Sequence, residues 1–208
     1  MLIYEDKGNK EGKHIIKNKW WAEQGVEIVR IPLPVGDYVL NNPKMEDVIN
    51  RKAKRGVDLK KMDLMGTYNI SVDSKQSIME LISDFQAEHE RFRDELLLAK
   101  NNGIKLYIVV ENDFQWISQK KNIYNTPVKE IKDLFRWKNP RAFIFKQGKQ
   151  AYPNCAKGSW LAKCCMTCEA KYGCEFVFCT PDESAQVITY LLQGGGDLSQ
   201  SVGCSLKQ

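Results

Sequence analysis

No apolar run in the 208-residue sequence approaches the roughly 20 residues that a bilayer-spanning helix needs; the longest strongly apolar stretch is Leu106–Val110. A membrane partner is therefore not expected. The opening Met1-Leu2-Ile3-Tyr4-Glu5-Asp6-Lys7 turns charged at once, so no secretory leader is expected either. Histidine is scarce. His14 and His89 have no partner at ligand spacing, and both read as surface residues. With 14 Gly and 7 Pro the chain is neither collagen-like nor low-complexity, and no segment repeats. Neither sign of charge dominates: 31 Lys and Arg against 26 Asp and Glu leave +5, which permits a polyanionic partner without demanding one.

What is present suits a folded domain. The composition is 43% hydrophobic with 8 Phe, 8 Tyr and 5 Trp, which excludes disorder, and the length suits one domain. Seven cysteines stand at 155, 164, 165, 168, 174, 179 and 204. An odd count without a leader argues against a disulfide framework. Cys165-x-x-Cys168 with Cys174 and Cys179 permits the sketch of a zinc site. The favoured reading is small buried hydrophobes, because Cys164, Cys165 and Cys168 fall inside a predicted helix and Cys179 ends a predicted strand.

Periodicity organises the chain. Leu2-Ile3-Tyr4 is a strand running into acids, and His14–Gln24 is a helix stopped by Gly25. Val26–Ile31 alternates as a strand; Pro32, Pro34 and Gly36 then force a turn before a strand at Asp37–Leu40. The basic stretch that follows holds a helix over Met45–Lys54. Asn69–Asp73 is a strand, Ser77–Lys100 one long helix, and Leu106–Val110 the strand with the most buried character. A short helix is predicted over Val128–Trp137, with Thr126 as cap and Pro127 at its first position. Ser159–Tyr172 is a helix closed by Gly173, Glu175–Cys179 a strand, and Thr180-Pro181-Asp182-Glu183 opens a last helix to about Leu192. Alternating strands and helices predict an α/β fold with a mixed central sheet flanked by helices, forming one domain over 1–192. A basic insertion is expected at 41–66, the loosest region at 111–148, and a flexible tail at 193–208.

Acids end three apolar stretches: Asp6, Asp37 and Asp73. In Val72-Asp73-Ser74-Lys75, strand alternation sends Asp73 and Lys75 to the same side. Two carboxylates on neighbouring strands beside a lysine suit metal-assisted phosphodiester cleavage. Hard oxygen ligands hold Mg²⁺, the ion polarises the phosphoryl group and activates water, and a lysine offsets charge developing on phosphate. Alone, D-x-K is a weak signal.

Six short stretches in order sharpen it: Val35-Gly36-Asp37-Tyr38; Val72-Asp73-Ser74-Lys75; Arg91-Phe92 with Glu95; Tyr107–Glu111; Gly158–Lys163; and Phe178–Ser184. Together they resemble the nuclease domain of the XPF family of structure-specific endonucleases, within the restriction-endonuclease-like PD-(D/E)XK group, and most of all its small stand-alone bacterial and phage members. The resemblance spans about residues 2–192. It implies a restriction-endonuclease-like core and Asp37, Asp73 and Lys75 as catalytic residues. It also implies Asp6, Asp37 and Asp73 as ligands of Mg²⁺ (or Mn²⁺), DNA as substrate, a homodimer, no small-molecule cofactor, and a bacterial or phage-infected cytoplasm. The helix-hairpin-helix module that family members often borrow is not expected after Leu192.

Three departures stand out. Ser74 replaces the family's Arg, which implies a weaker grip on phosphate. Met79 stands where an acid is expected, with Glu80 one place further on. Gly8 replaces the Arg of the first motif. They motivate a second expectation, a non-catalytic nucleic-acid- or partner-binding protein on the same scaffold. Arg51, Lys52, Lys54, Arg55, Lys60 and Lys61 of the basic stretch, with Arg91, are the candidate nucleic-acid contacts. Among the tryptophans, core or interface roles are favoured over base stacking, with Trp116 and Trp137 the two in question.

Overall fold

The computed structural model describes residues 1–10, 12 and 14–195. The tail expected from 193 falls outside them from 196 onward, as does Cys204. Among the described residues, ten strands and six α-helices follow in chain order: β1 (Leu2–Asp6), α1 (Ile15–Glu23), β2 (Glu27–Ile31), β3 (Tyr38–Leu40), α2 (Pro43–Lys54), β4 (Ile70–Lys75), α3 (Ile78–Phe85), α4 (His89–Asn101), β5 (Lys105–Glu111), β6 (Gln115–Ser118), β7 (Ile123–Asn125), β8 (Phe145–Lys146), β9 (Lys149–Gln150), α5 (Gly158–Tyr172), β10 (Glu175–Cys179) and α6 (Ser184–Leu192). Six strands form the central sheet in the order β10-β5-β4-β3-β1-β2. β3 runs antiparallel to β1 and β4, and the other pairings are parallel. The expected mixed sheet flanked by helices is thus the architecture found.

Each face of the sheet carries a core. One buries Val39, Ile108 and Phe178 under Met45 of α2, Leu81 of α3, Phe92 of α4 and Leu161 of α5. The other buries Ile3, Val72 and Val109 with Trp21 of α1 and Ile188 of α6. Trp21 is fully buried, and its indole N–H donates to Thr189 Oγ1 at 2.9 Å, tying α1 to α6. The insertion at 41–66 is an integral part of the fold. Asn42 caps α2 by accepting from Lys44 N and Met45 N, Pro43 opens the helix, and Met45 and Leu64 are fully buried.

Several expectations need correction. The single helix over Ser77–Lys100 is two: Ser83 O accepts from both Gln86 N (3.1 Å) and Glu88 N (3.0 Å), ending α3 before α4 begins. Nothing in the residue types of Gln86-Ala87-Glu88 breaks a helix. The helix over Val128–Trp137 is instead an extended entry followed by a 3₁₀ turn over Ile131–Phe135. Asn112 takes both backbone groups of Val128, accepting its N–H at 2.6 Å and donating to its C=O at 3.0 Å, while Asp133 caps Lys129 N and Glu130 N. A further 3₁₀ turn follows at Pro140–Phe143. The region 111–148 is built from hairpins, β6 with β7 and β8 with β9, joined by these turns. His14 is buried, its ring set edge-on against Tyr38 at 5.8 Å. His89 is exposed. Cys165 and Cys174 lie in the first core and Cys179 in the second, and burial pushes their thiols up.

Candidate active site

A cleft of about 520 Å³ opens over the first core at the end of β4. It is lined among others by Asp6, Asp37, Asp73, Lys75 and Glu95, with Lys61 and Arg91. Asp6, Asp37, Asp73 and Lys75, read from sequence as one site, therefore share one cavity.

The Gly-Asp pair is local chemistry. Gly36 has φ +73°, and a Cβ there would stand 2.1 Å from Ser71 Oγ and 3.0 Å from Val72 O. Only glycine lets the chain lie flat against β4 at this point. Asp37 is then fixed at both ends: its N–H donates to Val72 O at 2.7 Å, and its carboxylate accepts from Ser74 N at 2.9 Å. Gly36 N donates to Glu95 Oε1 at 2.9 Å, which draws the α4 carboxylate in beside the two aspartates.

Lys75 is buried, with its ammonium 2.7 Å from Asp73 Oδ2 and 2.9 Å from Asp84 Oδ2. Burial works against its charge, but Asp73 and Asp84 outweigh it and raise the lysine above its ordinary range. Asp84 also meets Arg91 Nη2 at 3.0 Å. Burial, and after it the charge of Asp73, pushes both Asp37 and Glu95 up to about 7. Lost solvation, with the charge of Asp73 after it, outweighs the relief that Lys75 gives Asp37 and Glu95.

Asp84 was not anticipated from the sequence, although a signal was there. It lies one turn beyond Leu81 on the buried stripe of α3, and an acid on an apolar stripe requires a buried cation. The structure also reinterprets two departures. Strand alternation turns the Ser74 side chain to the opposite face, where it is buried beside Tyr38. Its replacement of Arg therefore removes no side chain from the cleft. Lys61, from the loop after α2, meets Asp6 Oδ2 at 2.9 Å and lies 3.8 Å from where a Gly8 Cβ would stand. A cation from the basic insertion thus occupies the neighbourhood left open at Gly8. Glu80, the acid nearest the missing one, is used in capping α3, accepting from Gln76 N at 2.7 Å while Ser77 accepts from Glu80 N.

Of the candidate nucleic-acid contacts, Lys61 and Arg91 line the cleft. Arg51 pairs with Asp47 at 3.2 Å and Lys52 with Asp63 at 2.9 Å. Lys54, Arg55 and Lys60 are exposed away from the lining. Glu111, which closes one resembling motif, points to the other core, where it is ion-paired with the buried Lys17.

A family model described as the ERCC4 domain matches residues 7–191. The chain belongs to the ERCC4 domain family. The XPF resemblance read from its motifs is thereby borne out. The fold is similar to that of XPF from Aeropyrum pernix in complex with DNA, at 13% identity and a TM-score of 0.50, over 95% of this chain and 68% of that one. A second structure of XPF from Aeropyrum pernix aligns at 15% identity and a TM-score of 0.48, over 96% of this chain and 67% of that one. No curated protein matches the sequence.

Among the described residues, no three acidic, histidine or cysteine side chains already form a cage for a metal ion. The donor chemistry of the ERCC4 cleft nonetheless suits a hard divalent cation: Asp37, Asp73 and Glu95 are oxygen donors, and two of them are held up near 7 by burial and the charge of Asp73. Among the described residues, no helix is long and apolar enough to cross a membrane.

Proposed function

We propose that this ERCC4 domain is a divalent-metal-dependent endonuclease that hydrolyses phosphodiester bonds in branched or structured DNA, with Mg²⁺ (or Mn²⁺) held by Asp37, Asp73 and Glu95. The reading is supported above all by Lys75, held by Asp73 at 2.7 Å in a cleft that Asp37 and Glu95 also line. When bound, a divalent cation would supply Lewis-acid polarisation of the scissile phosphate. Lys75 orients the attacking water and offsets charge that develops on the phosphoryl oxygens. Asp84 holds the lysine in place from behind. The water oxygen bonds to phosphorus as the leaving P–O bond breaks, with no covalent enzyme intermediate. Asp6, whose carboxylate meets Lys61 and Leu33 N, supports the site from β1. Lys61 and Arg91 are placed to meet the DNA backbone, and Arg51, Lys52, Lys54, Arg55 and Lys60 extend that basic surface. The family resemblance supports a homodimer and a bacterial or phage-infected cytoplasm.

The test is Asp73→Asn against wild type on forked, flap and duplex DNA with Mg²⁺ or Mn²⁺. Cleavage by wild type that Asp73→Asn loses supports the reading. A wild type inactive on every substrate, with calorimetric cation binding unchanged by Asp37→Ala, sinks it in favour of the non-catalytic binding protein.

A further inference from the structure

A second cationic stretch lies outside the cleft. Residues 113–157 carry ten Lys and Arg against three Asp and Glu. That is a net +7 against +5 for the whole chain, so the remaining residues sum to −2. All ten basic side chains are exposed. Among the described residues, the only ion pair inside the segment is Lys132 with Glu130.

The same segment holds the exposed aromatics. Phe114, Trp116, Tyr124, Phe135, Phe145 and Tyr152 are each between 41% and 56% exposed, and the one other exposed aromatic among the described residues is Trp160, just beyond. Their arrangement is ordered. Trp116 and Tyr124 face each other across β6 and β7, with ring centroids 5.2 Å apart. Phe114 completes a three-ring cluster at 5.5 and 5.6 Å. The Lys121 ammonium sits 5.8 Å from the Phe145 ring, which links the two hairpins, and the Arg141 guanidinium lies 5.6 Å from the Tyr152 ring.

This surface is built on a fixed base. Asn125 exchanges two hydrogen bonds of 2.8 Å with the backbone of Lys138, and Asn139 donates to Ala156 O at 2.8 Å. Leu134 and Trp137 are buried beneath, and Gly158 of α5 approaches so closely that a Cβ there would stand 2.1 Å from Leu134 O. The rings are thus exposed on an anchored frame. Grouped exposed aromatics mark an interaction surface. Two occupants suit rings: another apolar surface or unstacked bases. A second copy would set one +7 surface against another, which charge repulsion opposes. A single-stranded polyanion matches both features, since its bases stack on rings while its phosphates meet lysines.

We propose that the β6–β9 segment, 113–157, is a binding platform for single-stranded nucleic acid, with Trp116, Tyr124 and Phe114 stacking bases and Lys120, Lys121 and Arg141 meeting phosphates. The segment leaves β5 at Glu111, and Lys75 stands in register with Val110, so the platform departs the sheet at the end that carries Asp73 and Lys75. It is suited to hold a single-stranded arm of a substrate cut in the cleft. The proposal goes beyond the hydrolytic reading and rests on it only for DNA as the probe.

The test is fluorescence anisotropy of labelled oligo-dT and of a matched blunt duplex, with the whole chain in EDTA so that no cleavage intervenes. Oligo-dT should bind more tightly than duplex and quench tryptophan emission. Trp116→Ala/Tyr124→Ala should weaken oligo-dT binding about tenfold or more. Trp116→Phe/Tyr124→Phe, which keeps the rings, should restore most of it, and so separates lost stacking from lost folding. Because EDTA stops cleavage in every sample, the binding result is readable whether or not the nuclease reading holds. Oligo-dT affinity unchanged in the alanine pair overturns the platform, as does equal affinity for duplex. A concentration-dependent dimer that the alanine pair abolishes while oligo-dT binding stays intact assigns the rings to self-association and also overturns it.

Discussion

The buried Lys75–Asp84 contact makes a prediction whose size can be worked out. At 2.9 Å, and with an effective dielectric of about 20, the gross attraction is roughly 6 kcal/mol. Most of that is offset. Burial raises the Asp84 pKa in spite of the pull from Lys75, so removing its charge also removes a desolvation cost. The Arg91 leg adds little, because that guanidinium is 59% exposed and such pairs contribute about 0–1 kcal/mol. Asp84→Asn keeps the shape and leaves Lys75 its bond to Asp73, so a loss of about 1–3 kcal/mol is expected. Lys75→Met leaves Asp73 without its cation and Asp84 with only the exposed Arg91, and should cost about 3–5 kcal/mol. In the Lys75→Met background, Asp84→Asn removes a buried charge that Arg91 alone offsets weakly and should be near neutral. Urea unfolding of the four proteins, followed by circular dichroism without divalent cations, gives the coupling energy. Costs that add to within about 0.5 kcal/mol would refute the coupling argued here. Where cleavage is measurable, Asp84→Asn should lower kcat about 10–100-fold with little change in KM, as expected for a lysine that has lost its positioning partner.

Three further outcomes follow from the geometry. Gly36→Ala forces a Cβ to 2.1 Å from Ser71 Oγ at φ +73°, and should cost at least about 2 kcal/mol; a melting temperature equal to wild type would contradict the close approach. Lys17→Met strands the buried Glu111 carboxylate and should cost about 3–5 kcal/mol, while Lys17→Met/Glu111→Leu should recover most of it; denaturant midpoints of both variants check this. Asp37 and Glu95 hold their protons to about 7 in the fold, whereas the unfolded chain releases them near 4. The folded state binds more protons in that window, so these groups make metal-free stability fall as pH rises from about 4 to about 7. Mg²⁺ should therefore raise the melting temperature more at pH 8 than at pH 5, and equal shifts would argue against these carboxylates as its ligands.

Where local chemistry decides the structure, the sequence is explicit. Gly173 has the left-handed φ of +74° that closes α5, and β10 spans Glu175–Cys179 as its apolar run indicates. Gly36-Asp37 and Asp73-x-Lys75 carry their geometry in their spacing, because a turn needs glycine and a strand alternates. The misread places are those where a distant residue takes over a backbone group or a charge. Asn112 claims the backbone of Val128, so the segment after Pro127 does not begin a helix. The periodicity of Ser77–Lys100 sets Asp84 on a buried stripe but does not name Lys75 as its partner.

By itself, then, the sequence determined the alternation of elements and the mixed sheet flanked by helices, and it singled out Asp37, Asp73 and Lys75 as candidates, since periodicity, glycine freedom and charge type are properties of neighbouring residues. Only the tertiary structure decided that Glu95 lines the cleft, that Asp84 holds Lys75 from behind, that Lys61 stands beside Gly8, and that the Ser74 side chain faces away. It alone brought Phe114, Trp116 and Tyr124 into one cluster and set Lys121 beside Phe145. Those facts depend on pairings between residues tens of positions apart. Burial and charge select such pairings after the chain has closed on itself, and no local pattern records them.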